Sequence, residues 1–307
     1  MAETRWALLT PPAAGGAIAV VRLHGGDLDG TLERLNLPTI EPGRSRVAEL
    51  LGIDRGVIAR WSPDAVDLMP HAGRAVLDAL ASALTQRGIE RSGVAPRPEA
   101  GSDLQSRMLD ALAQCPSPLG IERLLGEPQR HAAGGEPVGP EVGSRLAHLL
   151  SPPLVVAVGP PNIGKSSLLN ALAGRVVALA FDEPGTTRDH VGVTLELDGL
   201  TLRYLDTAGL TAARPPAETA RQLASADLVL TCCDALAPEA PASWTGLLVA
   251  TRGDRAGRVP PWAGAVTSAR AGSGIDELAG LIRQRLVPDS ALRDPRPWPW
   301  WQGPAGP

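Results

Sequence analysis

The rhythm of apolar and polar positions changes near residue 150. Before it, apolar runs are short and often interrupted. Ala17–Leu23 (AIAVVRL) reads as a strand closed by His24, Gly25 and Gly26. Val76–Thr85 sets Val76, Leu77, Leu80 and Leu84 near one face at helical spacing, so residues 1–90 predict a small α/β unit. Residues 91–104 carry breakers and no period, and predict a linker. Leu104–Gln114, Leu119–Leu125 and Glu141–Leu150 predict short helices around a Gly/Pro-rich stretch, Gly126–Gly143. From Pro153 onward strands and helices alternate. Leu154–Val158, Val191–Leu197, Leu200–Leu205, Leu228–Cys233, Leu247–Thr251 and Ala265–Ser268 predict strands. Ser166–Ala173 and Gly274–Leu286 predict helices, the latter with Ile275, Leu278, Leu281, Ile282 and Leu286 on its apolar face. Asp198-Gly199 between two strand runs is a two-residue hairpin signal. The tail, 287–307, predicts no regular element. The pattern as a whole predicts an α/β fold. Its main sheet is mostly parallel, with one antiparallel hairpin and helices on both faces.

Composition narrows this. A chain of 307 residues fits about two domains. The net charge of -4 excludes a global basic field for nucleic acid. Three cysteines, Cys115, Cys232 and Cys233, make no disulfide framework and no CxxC metal site, and predict reduced thiols. The N-terminal stretch predicts no signal peptide and no run approaches a membrane span, so a cytoplasmic protein without a membrane partner is expected. Of 29 basic residues, only Lys165 is lysine. A compact ammonium and a guanidinium are not interchangeable between phosphates, so Lys165 marks a site.

Lys165 lies within Gly159-Pro160-Pro161-Asn162-Ile163-Gly164-Lys165-Ser166, a complete GxxxxGK[ST] between a predicted strand and a predicted helix. Glycines there let main-chain N–H groups turn around phosphates, and the helix N-terminus favours the anion. The pattern predicts nucleotide binding by Gly159, Asn162, Ile163, Gly164, Lys165, Ser166 and Ser167, with Lys165 at the β- and γ-phosphates and Ser166 on Mg²⁺. Downstream, Gly185-Thr186-Thr187-Arg188-Asp189 offers Thr187 to Mg²⁺. Asp206-Thr207-Ala208-Gly209 offers Asp206 to Mg²⁺ and the Gly209 N–H to the γ-phosphate. In Thr251-Arg252-Gly253-Asp254, the Asp254 carboxylate suits the N1–H and N2–H₂ edge of guanine, and Ser268-Ala269-Arg270 suits O6. The order of these pieces predicts a P-loop domain for GTP and GDP at 151–287, after an N-terminal α/β domain (1–95) and a linker with a reduced helical segment (96–150), and before a Pro/Trp-rich tail (288–307).

GPPNIGKSSLLNALAGR, GTTRD, DTAGL and SARAGSGIDEL resemble the GTPase domain of the MnmE (TrmE) tRNA-modification GTPases, in the Era-like TrmE-Era-EngA group. TPPAAGGAIAVVRLHG (10–25) and VDLMPHAGRAVLDAL (66–80) resemble that family's N-terminal domain. The resemblance implies GTP hydrolysis with Mg²⁺ and K⁺, Asn162 on K⁺, and Lys165, Thr187 and Glu218 as catalytic residues. Glu218 stands in for the Gln that Ras-like enzymes carry where this chain has Leu210. It also implies a homodimer through the N-terminal domain, GTP-dependent pairing of the G domains, a folate derivative near Arg22, and action with a flavoprotein partner on the wobble uridine of tRNA. Other readings stay open: a reduced GTPase for ribosome or assembly control, or a non-hydrolysing GTP-binding switch. The chain departs from the family pattern in places. TRGD replaces NKxD, segments 234–244 and 255–262 are short where helices are expected, APRPEAG replaces an RPGEF-like segment, and 288–307 holds no CIGK-like motif.

Overall fold

In the first part of the chain the apolar runs pair as a sheet. Arg5–Leu8 (β1) and Val21–His24 (β2) run antiparallel, and β2 pairs in turn with Ala65–Met69 (β5). The computed structural model describes residues 3–10, 17–93, 95–174, 191–207, 217–239 and 246–302. The chain divides into two compact units, 1–114 and 115–307.

The first unit adds Arg44–Leu50 (β3), Asp54–Ser62 (β4) and Glu90–Arg91 (β6), giving the strand order β3-β4-β5-β2-β1-β6. Its helices are Leu28–Arg34 (α1), Arg74–Gln86 (α2) and Asp103–Gln114 (α3). Asp27 caps α1 by accepting from the Gly30 N–H at 3.0 Å. Leu28 and Leu32 of α1 and Leu80 and Leu84 of α2 are buried against Leu23, Ile58 and Leu68 of the sheet. The predicted strand 17–23 is shorter than expected. Ile18 forms only an isolated bridge to His71, and regular pairing starts at Val21. The predicted linker 91–104 is tied into this unit, because Arg97 pairs with Asp110 at 2.6 Å and Glu99 with Arg22 at 3.0 Å.

The second unit begins with Pro118–Leu125 (α4), Glu127–Ala133 (α5) and Pro140–Ala147 (α6). Leu154–Val158 (β7) follows, all five residues buried, and then Lys165–Ala173 (α7). Val191–Leu197 (β8) and Leu200–Asp206 (β9) form the predicted hairpin. Both its turn residues take positive φ, 49° at Asp198 and 80° at Gly199, the geometry that matches the twist of the strands. Next come Ala217–Ser225 (α8), Leu228–Asp234 (β10), Leu247–Thr251 (β11), Ala265–Val266 (β12) and Ile275–Leu286 (α9). The sheet order is β12-β11-β10-β7-β9-β8, parallel except for β8–β9. Strand β7 therefore sits where the winding reverses, with β9 on one side and β10 on the other. Doubly wound sheets bind ligands at the carboxyl ends of such strands.

Two expectations are corrected here. The Gly/Pro-rich stretch 126–143 holds a helix, α5, with Pro128 in its first turn, where the missing N–H costs nothing. The tail forms Asp289–Leu292 (α10) and a 3₁₀ turn, Trp300–Gln302. Its order comes from distant residues. Arg123 of α4 donates to the carbonyls of Leu292 (3.0 Å), Asp294 (2.6 Å) and Arg296 (2.9 Å). Glu127 of α5 accepts the Trp298 N–H at 2.9 Å and lies 2.9 Å from Arg123 Nε. Both charged residues are buried, and burial pushes each toward its neutral form, Arg123 down and Glu127 up. Of the predicted helical segment (96–150), residues from 115 onward pack with the tail within the second unit, whereas α3 belongs to the first.

Candidate functional site: a phosphate loop joined to a base-end cleft

The segment after β7 turns sharply. Gly159 has φ 150°, and a Cβ there would lie 2.3 Å from the Cys232 carbonyl oxygen, so a side chain is excluded by both conformation and space. Asn162 and Gly164 also take positive φ, and α7 starts at Lys165. The helix N-terminus therefore opens onto the loop. Lys165 is 6% exposed, and its Nζ donates to the carbonyls of Gly159 (3.2 Å) and Pro160 (3.1 Å). The ammonium is thereby laid across the loop, where a phosphate would displace two neutral acceptors.

Ser166 Oγ donates to Asp206 Oδ2 at 2.5 Å, joining the first turn of α7 to the end of β9. Asp206 is buried, and its Oδ1 has no hydrogen-bond partner among the described residues. A buried, unpartnered carboxylate oxygen beside a hydroxyl is a hard donor set that suits Mg²⁺. Among the described residues no cluster of three or more His, Cys, Asp or Glu could hold a metal. Bound Mg²⁺ would neutralise charge on the phosphates.

A cleft of about 860 Å³ runs from this loop to the ends of β11 and β12. It is lined by Asn162, Gly164, Lys165, Ser166 and Ser167 at one end, and by Thr251, Arg252, Asp254, Ser268, Ala269 and Arg270 at the other. Asp254 stands on a 3₁₀ turn after β11 and accepts from Ser268 Oγ at 2.7 Å. That donor holds its pKa below the usual 3.8. Thr251 Oγ1 lies 2.7 Å from the Ile163 carbonyl and 3.0 Å from the Cys233 carbonyl, tying the phosphate loop to β10. Ile163 is buried beneath the loop rather than presented to the cleft. The Arg252 guanidinium donates to Asp234 at 3.1 Å and to the Asn162 carbonyl.

Of the predicted residues, Thr187, Gly209 and Leu210 lie outside the described residues, as does the Glu218 side chain, although Glu218 falls within α8. Sequence reasoning missed Asp234. Its signal is register, since Asp234 pairs with Thr251 across the parallel β10–β11 ladder, beside Arg252. Thr267 and Arg255, which belong to none of the sequence motifs, also line the cleft, as does Asn170 of the phosphate-loop motif's helix. In the first unit, Arg22 is 1% exposed and donates to both Asp67 oxygens (2.7 and 2.8 Å), to the Pro96 carbonyl (2.7 Å) and to Glu99 (3.0 Å). Burial opposes its charge, but Asp67 and Glu99 hold its pKa above the ordinary value.

Residues 154–250 match the family model described as 50S ribosome-binding GTPase. A tRNA modification GTPase MnmE from Acidiphilium cryptum is 32% identical over 349 residues, covering 89% of this chain and 79% of the relative. One from Maricaulis maris is 31% identical, covering 96% of this chain and 84% of the relative. The G domain of the T. maritima FeoB iron transporter aligns with 43% of this chain and 97% of its own at 24% identity, with a TM-score of 0.35. Among the described residues no helix is long and apolar enough to cross a membrane. Kinship over nearly the whole chain, with a phosphate loop on the stretch the GTPase model matches, makes this protein a hydrolase that takes guanine nucleotide with Mg²⁺, and the chain belongs to the MnmE family of tRNA modification GTPases.

Proposed function

We propose that this protein hydrolyses GTP to GDP and phosphate in the service of wobble-uridine modification of tRNA. The observation that carries the chemistry is the single cleft that holds Lys165 and the Ser166–Asp206 pair at one end and the Ser268–Asp254 pair at the other. A triphosphate laid from end to end meets a cation at its phosphates and a fixed carboxylate at its base. The catalytic contribution is electrostatic: Lys165 and the loop N–H groups hold charge that grows on the γ-phosphate as water attacks. The resemblance supports Glu218 and Thr187 as further catalytic groups, Thr187 as an additional Mg²⁺ ligand, and Gly209 as a γ-phosphate contact. It supports Asn162 as a K⁺ ligand, and the exposed position of Asn162 on the loop is compatible with that role.

The tRNA task, the flavoprotein partner, and dimers through the N-terminal domain and between G domains follow from kinship to proteins named as tRNA modification GTPases. A cytoplasmic setting follows from the same kinship. For a folate derivative the resemblance stands alone, since the Arg22 guanidinium is already engaged by Asp67, Pro96 and Glu99. The test is wobble-uridine analysis of tRNA from a deletion strain carrying native or Lys165→Ala protein. The native gene restores the modification and the variant does not; unchanged tRNA in the deletion strain overturns the tRNA role. The matched family model favours a second reading, action on the large ribosomal subunit. A subunit-assembly defect with normal tRNA would establish that one.

A further inference from the structure

The base end of the cleft offers few groups to a purine. Asp254 accepts one bond from Ser268 and retains lone pairs for two donors on the N1–N2 edge of guanine. The Ser268–Arg270 turn lines the same end. Next around the ring comes N7, the lone acceptor of the imidazole edge. Thr251 lines the cleft although the residue is only 4% exposed, and its hydroxyl bonds the phosphate loop at Ile163.

A threonine hydroxyl has one proton. In Thr251 that proton faces two main-chain carbonyls, Ile163 at 2.7 Å and Cys233 at 3.0 Å. Both carbonyls belong to the main-chain frame of the site, the phosphate loop and β10. No proton remains for a base. The neighbouring Arg252 turns its two terminal nitrogens to Asp234 and to the Asn162 carbonyl.

We infer that this site reads guanine from its N1, N2 and O6 edge and offers N7 no donor at position 251, because the one hydroxyl proton of Thr251 is committed to fastening the phosphate loop to β10. Thr251 is thus a specificity-determining residue by omission. The ligand class follows: guanine nucleotides altered at N7 are accepted, whereas those altered at N2 are not. This rests on the guanine-nucleotide reading of the cleft.

The test is displacement of a fluorescent GDP from the full chain by GDP, 7-deaza-GDP, IDP and ADP. Diphosphates avoid turnover during the measurement. The native protein binds 7-deaza-GDP within about twofold of GDP, while IDP, lacking one bond to a carboxylate, is weaker by about tenfold or more. Thr251→Asn supplies an amide donor and opens a gap of about fivefold in favour of GDP over 7-deaza-GDP. Thr251→Ser, which keeps the hydroxyl, stays blind to N7 and serves if the Asn variant does not fold. A native protein that binds 7-deaza-GDP about fivefold or more weakly than GDP, while still rejecting ADP, overturns the inference alone. Equal displacement by GDP and ADP overturns the guanine reading itself, and the inference with it.

Discussion

Lys165 is the single lysine of the chain, and its position explains why no arginine has replaced it. Its ammonium sits on two loop carbonyls at 3.1 and 3.2 Å as a compact point charge, a role that a planar, forked guanidinium does not reproduce. Lys165→Arg should therefore lower kcat/KM for GTP by about 100-fold or more, as loss of a preorganised donor does, with circular dichroism unchanged. Asp254 makes a second prediction at this scale. The Ser268 hydroxyl stabilises its ionised form, so its pKa lies below 3.8 and the carboxylate persists as pH falls. Among the described residues no histidine lines the cleft. GDP affinity should stay level from about pH 7 to pH 5 and decline only below the ordinary aspartate range, near 4. A titration showing a loss centred near about pH 6 would contradict this, since it would place a different group at the base. Residue types at motif spacing were legible in the sequence because they are local. The Arg252–Asp234 pair was not, because it depends on how two parallel strands align.

At the scale of elements, what could be read depended on where the determining contacts lie. The hairpin at Asp198-Gly199 was legible because the turn chemistry is carried by its own two residues. Strands β7, β10 and β11 were legible because burial on both faces leaves continuous apolar runs. Strand β3 is mostly exposed, so RSRVAEL carries no apolar alternation to read. The tail was read as irregular because proline and tryptophan give it no period. Its conformation is imposed by Arg123 and Glu127, about 170 positions earlier in the chain. Arg123→Met should leave three carbonyls without that donor and Glu127 buried with only the more distant Arg130 and His131 (3.7 and 3.6 Å) as side-chain partners, costing about 3 kcal/mol in denaturant unfolding. Emission should shift to the red as buried Trp298 is exposed, and Trp298→Phe should remove that shift. Unchanged stability and emission would show that the tail is held by other contacts.

For the whole molecule, the two compact units carry different kinds of charged centre. The nucleotide cleft belongs to 115–307, and Lys165, Arg252, Asp254 and Arg270 line it. The centre of 1–114 is closed: Arg22 and Asp67 are buried, and the Trp61 ring N–H adds a third bond to Asp67 at 2.6 Å. Arg22→Met should strand the Asp67 charge and destabilise the first unit by about 3–5 kcal/mol, with nucleotide binding by the second retained. Loss of GDP binding in a variant whose second unit remains folded would refute that division. The fold class and the nucleotide were legible in the sequence, because a phosphate loop is a contiguous motif in a strand–turn–helix context. The union of residues 115–150 with 288–302 was not, since it joins segments on either side of the whole GTPase sheet.

The central claim is that this cleft binds and hydrolyses GTP. It is tested most directly by phosphate release from GTP by the purified native protein with Mg²⁺, with and without K⁺, alongside Lys165→Ala. The account predicts turnover to GDP and phosphate that K⁺ stimulates and that the variant lowers by about 100-fold or more. A native rate equal to that of Lys165→Ala would contradict it.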